Sequence, residues 1–337
     1  MKRTDKISDS IEQLARDSNF SGVISVKRGD ETVYSGAFGY RDIKNRVPNS
    51  ITTRFGIASG TKLFTALGIG KLIESGDISL TTTVKEIDGS FEGFVDGRAT
   101  ILELLTHSSG IYDYFDEDQI TDFETYTVEI PWSDLETPSD YLPLFKNRKS
   151  KFSPGDQYSY SNGGFVFLGI IIETITGQLY RDFISENVLQ PAGMHDSGFY
   201  AFDDLPENTS SGYLEDLNTT NIYRLPIRGG GDGGMYTTAE DLHRFWRSLV
   251  SFKILSQKLT STYLKTHREF DHIDGYGCGI YKKLDESRFS ILGCDAGVGF
   301  FSTYVVADKT TISVLSNMTN GENSIVDLII SGIANGW

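Results

Sequence analysis

Ser59-Gly60-Thr61-Lys62 sets a hydroxyl and an amine three residues apart. A serine hydroxyl is a poor nucleophile until a neighbouring base takes its proton. At a helix start, positions i and i+3 share a face, so the Lys62 amine can reach the Ser59 oxygen. The helix N-terminus adds backbone N–H groups and positive potential, which suit a developing oxyanion. So short a pattern also arises by chance on solvated helix faces. Here it occurs once, after the small residues Gly56 and Ala58 and before an apolar run. Tyr160-Ser161-Asn162 is likewise the one Tyr-x-Asn in the chain. A phenol (pKa about 10) and a lysine amine (about 10.4) can share and shuttle one proton. Nearby positive charge favours the phenolate, and desolvation lowers the lysine value. Either group can then act as base near neutral pH. The Asn162 amide suits orienting Lys62 or holding a substrate carbonyl. The bland alternative is a loop tyrosine followed by an N-capping Asn.

Other reactive side chains are sparse. Cys278 and Cys294 make no disulfide framework. Cys294 has no His at a motif-like distance, so it reads as a small strand-facing residue rather than a thiol nucleophile. The histidines at 107, 195, 243, 267 and 272 form no metal-binding spacing. No metal and no cofactor are expected. Residues 229–234, Gly-Gly-Gly-Asp-Gly-Gly, satisfy Gly-x-Gly-x-x-Gly. They follow no strand and open no βαβ unit, which argues against a dinucleotide site. They read as a loop whose backbone passes close beneath the site.

The elements that must hold these groups follow from periodicity. Residues 8–18 read as a short amphipathic helix. Two strand signals, SGVISVKR and TVYSGAFGY, flank Gly29-Asp30 as an antiparallel hairpin. Leu63, Leu67, Leu72 and Ile73 give helical spacing over 59–76, and Gly76 ends it. Another helix starts over Ile101 to Thr106. Residues 112–150 are acidic and aromatic, and read as loops with short helices. Residues 162–190 read as helical with a stop at Gly177, and 203–228 as polar loop. Thr237 with Glu240 has capping-box spacing and opens a helix over 241–251. Strands are expected near 276–284, 288–293, 300–307 and 310–316, with turns at 285–286 and 308–309. A last helix covers roughly 323–334. The expected layout is an α/β domain from 1–95 and 228–337, with a mainly helical region, 96–227, inserted.

The two motifs, taken with their surroundings, resemble the serine β-lactamase and penicillin-binding-protein superfamily. The likeness is to class C β-lactamases and their DD-peptidase and esterase relatives, over roughly residues 20–330. TRFGIASGTKLFTALGIGKLIESGDISL is similar to the family's nucleophile helix and its exit. ATILELLTHSSGI, KFSPGDQYSYSNGGFVFLGIIIE and GGMYTTAEDLHRF are similar to three further segments in the family's order. The resemblance implies a β-lactamase/transpeptidase-like α/β fold, with a central antiparallel sheet flanked by helices. It implies a serine hydrolase in which Ser59 is acylated, Lys62 and Tyr160 move the proton, and Asn162 positions. Relatives carry Lys-Thr-Gly or His-x-Gly on a strand lining the site. The matching stretch here is Gly293-Cys294-Asp295-Ala296-Gly297. By that resemblance Cys294 stands in place of the cationic or imidazole residue and Ala296 in place of the small Gly. Cys294 cannot supply the cation that binds a substrate carboxylate, and Asp295 adds repulsion. The Gly297 backbone N–H is expected to pair with that of Ser59 as an oxyanion hole.

Composition sets the outer bounds. The 39% apolar and 23% charged content is that of an ordinary globular chain. A net charge of -15 argues against nucleic acid, which needs clustered Lys and Arg. No apolar run approaches the ~20 residues of a membrane span. MKRTDKISDS lacks the apolar stretch of a secretory signal, so a cytoplasmic location is expected. The expected partner is a small-molecule or short-peptide substrate: a D-alanyl peptide, a β-lactam or a small ester. The second reading is a non-catalytic penicillin- or peptide-binding relative.

Overall fold

The computed structural model describes residues 3–334, apart from 271 and 273. Its centre is an eight-stranded, fully antiparallel sheet. In chain order the strands are β1 (Gly22–Arg28), β2 (Glu31–Phe38), β3 (Arg268–Glu269), β4 (Asp274–Tyr276), β5 (Tyr281–Lys283), β6 (Arg288–Asp295), β7 (Val298–Val305) and β8 (Thr310–Ser316). Across the sheet they run β2-β1-β8-β7-β6-β5-β4-β3. The N-terminal hairpin therefore pairs with the last strand, with Val23 opposite Leu315 and Ile24 opposite Val314.

Strand alternation splits the core in two. Val23 and Leu315 face the larger core, while Ile24, Ile312 and Val314 face a smaller one. The smaller core is closed by Ile11 and Ala15 of α1 (Arg3–Asp17) and by Ile325 and Ile329 of α5 (Asn323–Ala334). The larger core contains α2 (Lys62–Ser75), α3 (Asn162–Thr176) and α4 (Ala239–Val250). Helix α2 is buried on every side from Lys62 to Gly70, as an all-round apolar helix must be. Its C-cap, Gly76, is left-handed (φ 85°), as a chain leaving a helix in the αL conformation prefers. Gly177 (φ 66°) closes α3 in the same way. No single helix among the described residues is long and apolar enough to cross a membrane.

Two expectations shift. The segment 276–284 is not one strand: β4 and β5 are split by a tight turn in which Gly277 N–H donates to Ile280 O at 2.8 Å. Gly279 (φ 73°) makes that turn, and a Cβ there would meet Ala66 Cβ at 2.9 Å on α2. The cap of α4 moves by one residue. Thr237 is committed to a short strand opposite Phe55, so Thr238 caps, accepting Asp241 N–H at 3.1 Å. Glu240 pairs instead with Lys27 of β1. Residues 112–150 do form loops with short helical turns, and they supply walls to the site below.

Candidate active site

Ser59 lies in a single 3-10 turn, Ala58–Thr61, that runs directly into α2. Ala58 is held at φ 45°, a costly conformation for a residue with a Cβ. Surrounding bonds hold the turn. Gly60 N–H donates to Ile57 O at 2.8 Å, and Thr61 Oγ1 donates to Ala58 O at 2.7 Å while accepting Met235 N–H at 3.1 Å. Gly60 sits against the buried Phe300 ring, where a Cβ would lie 2.3 Å from Cε1. Gly60→Ala is therefore expected to cost about 1–3 kcal/mol of stability, read as a fall in Tm. An unchanged Tm would show that Phe300 moves aside freely.

Lys62 Nζ reaches back one turn to Ser59 Oγ at 2.8 Å. It also donates to Asn162 Oδ1 at 2.6 Å and to the Asp232 carbonyl at 2.8 Å. These three contacts fill an ammonium's three donors. When the amine is neutral, the Ser59 contact reverses and the hydroxyl donates to Nζ. Burial lowers the Lys62 pKa, against opposing pulls from Asp232, Glu117, Asp295 and Asp113.

Tyr160 faces Ser59, with its ring centroid 5.0 Å from Lys62 Nζ. Burial pushes its phenol well above 10, and Glu117 adds to the rise. The two shifts point the same way. The resting pair is a protonated phenol beside an amine that gives up its proton readily. Ser161, not Asn162, caps α3, accepting Gly164 N–H at 3.0 Å. Asn162 is thus released to serve Lys62. Its Nδ2 donates to Phe115 O at 2.8 Å and Glu117 Oε1 at 3.1 Å, which turns Oδ1 toward the amine.

The third element changes register. Gly293, not Ala296, lies against Ser59. A Cβ on Gly293 would be 2.4 Å from Ile57 O and 2.7 Å from Ser59 N. The residue two before it, on the same face of β6, is the buried Ile291. Either register puts an uncharged residue where relatives carry a cation. Gly297 does not serve as an oxyanion donor: its N–H is spent on Thr319 Oγ1 at 2.9 Å, and it lies against Gly212. Burial pushes the Cys294 thiol up to about 12, so it is no thiolate. Among the described residues, β6 has no strand partner on its β5 side beyond Ser290, and Leu292, Gly293 and Cys294 line a cavity of about 690 Å³ there with Ser59, Tyr160 and Glu117. Asp295 instead lines a second cavity of about 700 Å³ that also opens on Ser59.

Four contributors were not legible as site residues. The glycine-rich loop does pass under the site, as its composition implies: a Cβ on Gly231 would lie 2.2 Å from Phe165 O. Its acid, Asp232, accepts Tyr114 OH at 2.6 Å. His107 is buried and held at φ 55°. Its Nδ1 accepts Ser161 N–H at 3.0 Å, so Nε2 carries the proton toward Tyr276 OH at 3.0 Å. Burial and the Lys62 charge hold it well below 6.5, so it is a neutral platform packed 4.5 Å from the Tyr160 ring. Asp113 ties down the start of α3, accepting Asn162 and Gly163 N–H at 2.9 Å each. Glu117 orients Asn162.

The chain is similar to known proteins over nearly its whole length. A model of the Beta-lactamase family matches residues 7–331. Penicillin-binding protein 4* of Bacillus subtilis (strain 168) is 27% identical over 328 residues, covering 91% of this chain and 70% of its own. The crystal structure of a penicillin binding protein from Bacillus halodurans is 36% identical, covers 95% of this chain and 99% of that one, and superposes with a TM-score of 0.90. D-amino acid amidase from Ochrobactrum anthropi SV3 shares the fold, with a TM-score of 0.80 at 22% identity over 99% of both chains. The chain belongs to the Beta-lactamase family, within the serine hydrolase superfamily.

Proposed function

We propose that the protein cleaves an amide or ester through an acyl-Ser59 intermediate. The observation that carries this is the 2.8 Å contact between Lys62 Nζ and Ser59 Oγ in a site where burial favours the neutral amine. Ser59 Oγ attacks the substrate carbonyl carbon, forming a C–O bond, and its proton passes to Lys62 Nζ. The oxyanion develops between the Ser59 N–H and the β6 backbone at Gly293–Cys294, which stands directly against it. Collapse breaks the C–N or C–O bond to the leaving group, which takes a proton from the Lys62–Tyr160 pair. Water then attacks the acyl-enzyme, gives its proton to the same pair, and releases Ser59 and the acid. Lys62 and Tyr160 act as one coupled unit in both halves.

Lack of a cation on the part of β6 beside Ser59, Leu292 to Cys294, weighs against substrates recognised by a carboxylate, such as β-lactams and terminal D-alanine. Small esters and amides fit better. The test is intact-protein mass spectrometry after incubation with a panel of small activated esters and β-lactams. An added acyl mass that maps to Ser59 is the expected result, and Ser59→Ala takes no label. A label at another residue, or turnover that survives Ser59→Ala, overturns the mechanism. Tight binding without any covalent mass would favour the non-catalytic reading.

A further inference from the structure

Two cavities meet at Ser59, and their linings differ. One holds Tyr160, so it is the side on which a leaving group can take a proton. The acyl part of the substrate then lies in the other one. That cavity is walled by rings, among them Tyr114, Phe115, Trp132 and Tyr141, with Asp232 and Asp295. No Lys, Arg or His lines it among the described residues. Asp232 is only 9% exposed. Asp295 stands close to the nucleophile: a Cβ placed on Gly233 would lie 3.9 Å from Asp295 Oδ2 and 3.7 Å from the carbonyl of Ala58, the residue before Ser59. Trp132 is buried in the wall, with an indole N–H that has no partner among the described residues.

Two carboxylates in an aromatic pocket are costly without a counter-charge. Burial pushes Asp295 up to about 8, with Glu117 and Asp232 adding repulsion and Lys62 opposing it. Lys62 gives no lasting relief, because it must be neutral to act as base. A ligand that brings its own positive charge restores the ionised carboxylate, and the ring faces hold an ammonium as well. A ligand with a carboxylate adds to the repulsion.

We propose that Asp295, backed by Asp232, binds a protonated amine, so that Ser59 acts on amides or esters whose acyl part carries a free amino group beside an apolar or aromatic side chain. This rests on the acyl-Ser59 reading. The test compares phenylalanine p-nitroanilide (each enantiomer), its N-acetyl derivative and 3-phenylpropionyl p-nitroanilide, which has no amine. In the wild-type protein, the better free-amine enantiomer is expected to have a kcat/KM about 10- to 100-fold above both others, through KM, the size of one charge-assisted contact. Asp295→Asn is expected to bring that ratio close to one. The ratio is taken within each protein, so a partly misfolded variant does not distort it. Equal use of the three substrates by the wild type, or a preference that survives Asp295→Asn, overturns the proposal. If acyl mass still appears on Ser59 in that case, this inference alone fails. If no substrate acylates Ser59, the acyl-enzyme reading fails and takes this one with it.

Discussion

Replacing Lys62 by methionine lowers kcat/KM by about 10²–10⁴-fold on any substrate that acylates Ser59, the range expected for loss of a positioned general base. Methionine matches the stem of the lysine, so the packing of α2 is largely kept. What goes is the nitrogen 2.8 Å from Ser59 Oγ. Lys62→Arg separates base from charge. Arginine keeps the cation but cannot give up its proton in a protein, so it should be as poor as methionine. A Lys62→Arg variant with near wild-type acylation would show that Lys62 acts as a fixed charge. The pH dependence has a definite sign. Activity needs the neutral amine, so the rate climbs with pH and levels off. Because burial lowers the lysine pKa, the midpoint of that climb falls below 10.5. A rapid-quench or stopped-flow acylation rate across pH checks this. A rate that falls as pH rises through that limb would point to a base other than Lys62.

Gly293→Ala carries the next largest effect, about 10²–10³-fold in kcat, with KM changed less. The added methyl would lie 2.4 Å from Ile57 O and 2.7 Å from Ser59 N. Backbone atoms cannot rotate away as a side-chain tip can, so β6 must move off the nucleophile turn. Donors aimed at an oxyanion lose most of their value when misplaced by an ångström, and one such donor is worth about that factor. The same change at Gly89, where nothing lies within 4 Å, is the control and should leave kcat as it was. Thermal denaturation of both variants separates a displaced strand from an unfolded protein. Full activity in Gly293→Ala would mean that the oxyanion is not held between β6 and Ser59.

Much of this was legible along the chain because it is local. Ser59 and Lys62 are one helical turn apart, so their contact follows from helix geometry. Gly76 and Gly177 end their helices where left-handed caps are needed. The alternation in β1, β7 and β8 reads directly as strands. What misread was local only in part. Thr237 and Thr238 are chemically equivalent caps, and pairing of Thr237 with distant Phe55 chose between them. Residues 276–284 have the composition of a strand, but the turn at Gly279 is set by α2 behind it.

The sequence by itself determined the Ser59–Lys62 pair, the Tyr160–Asn162 segment, the order of the elements and the absence of a cation in the third motif. Each of these depends on residue identity or on spacing within one element. Tertiary structure decided the rest. Asn162 meets Lys62 across 100 residues, and Asp232 does so across 170. Which glycine rests on Ser59 depends on how β6 docks against the 3-10 turn. A one-residue difference in that docking swaps one strand face for the other, and composition does not encode it. The same docking turns Asp295, on paper a misfit residue in a carboxylate-binding motif, toward the aromatic cavity beside the nucleophile.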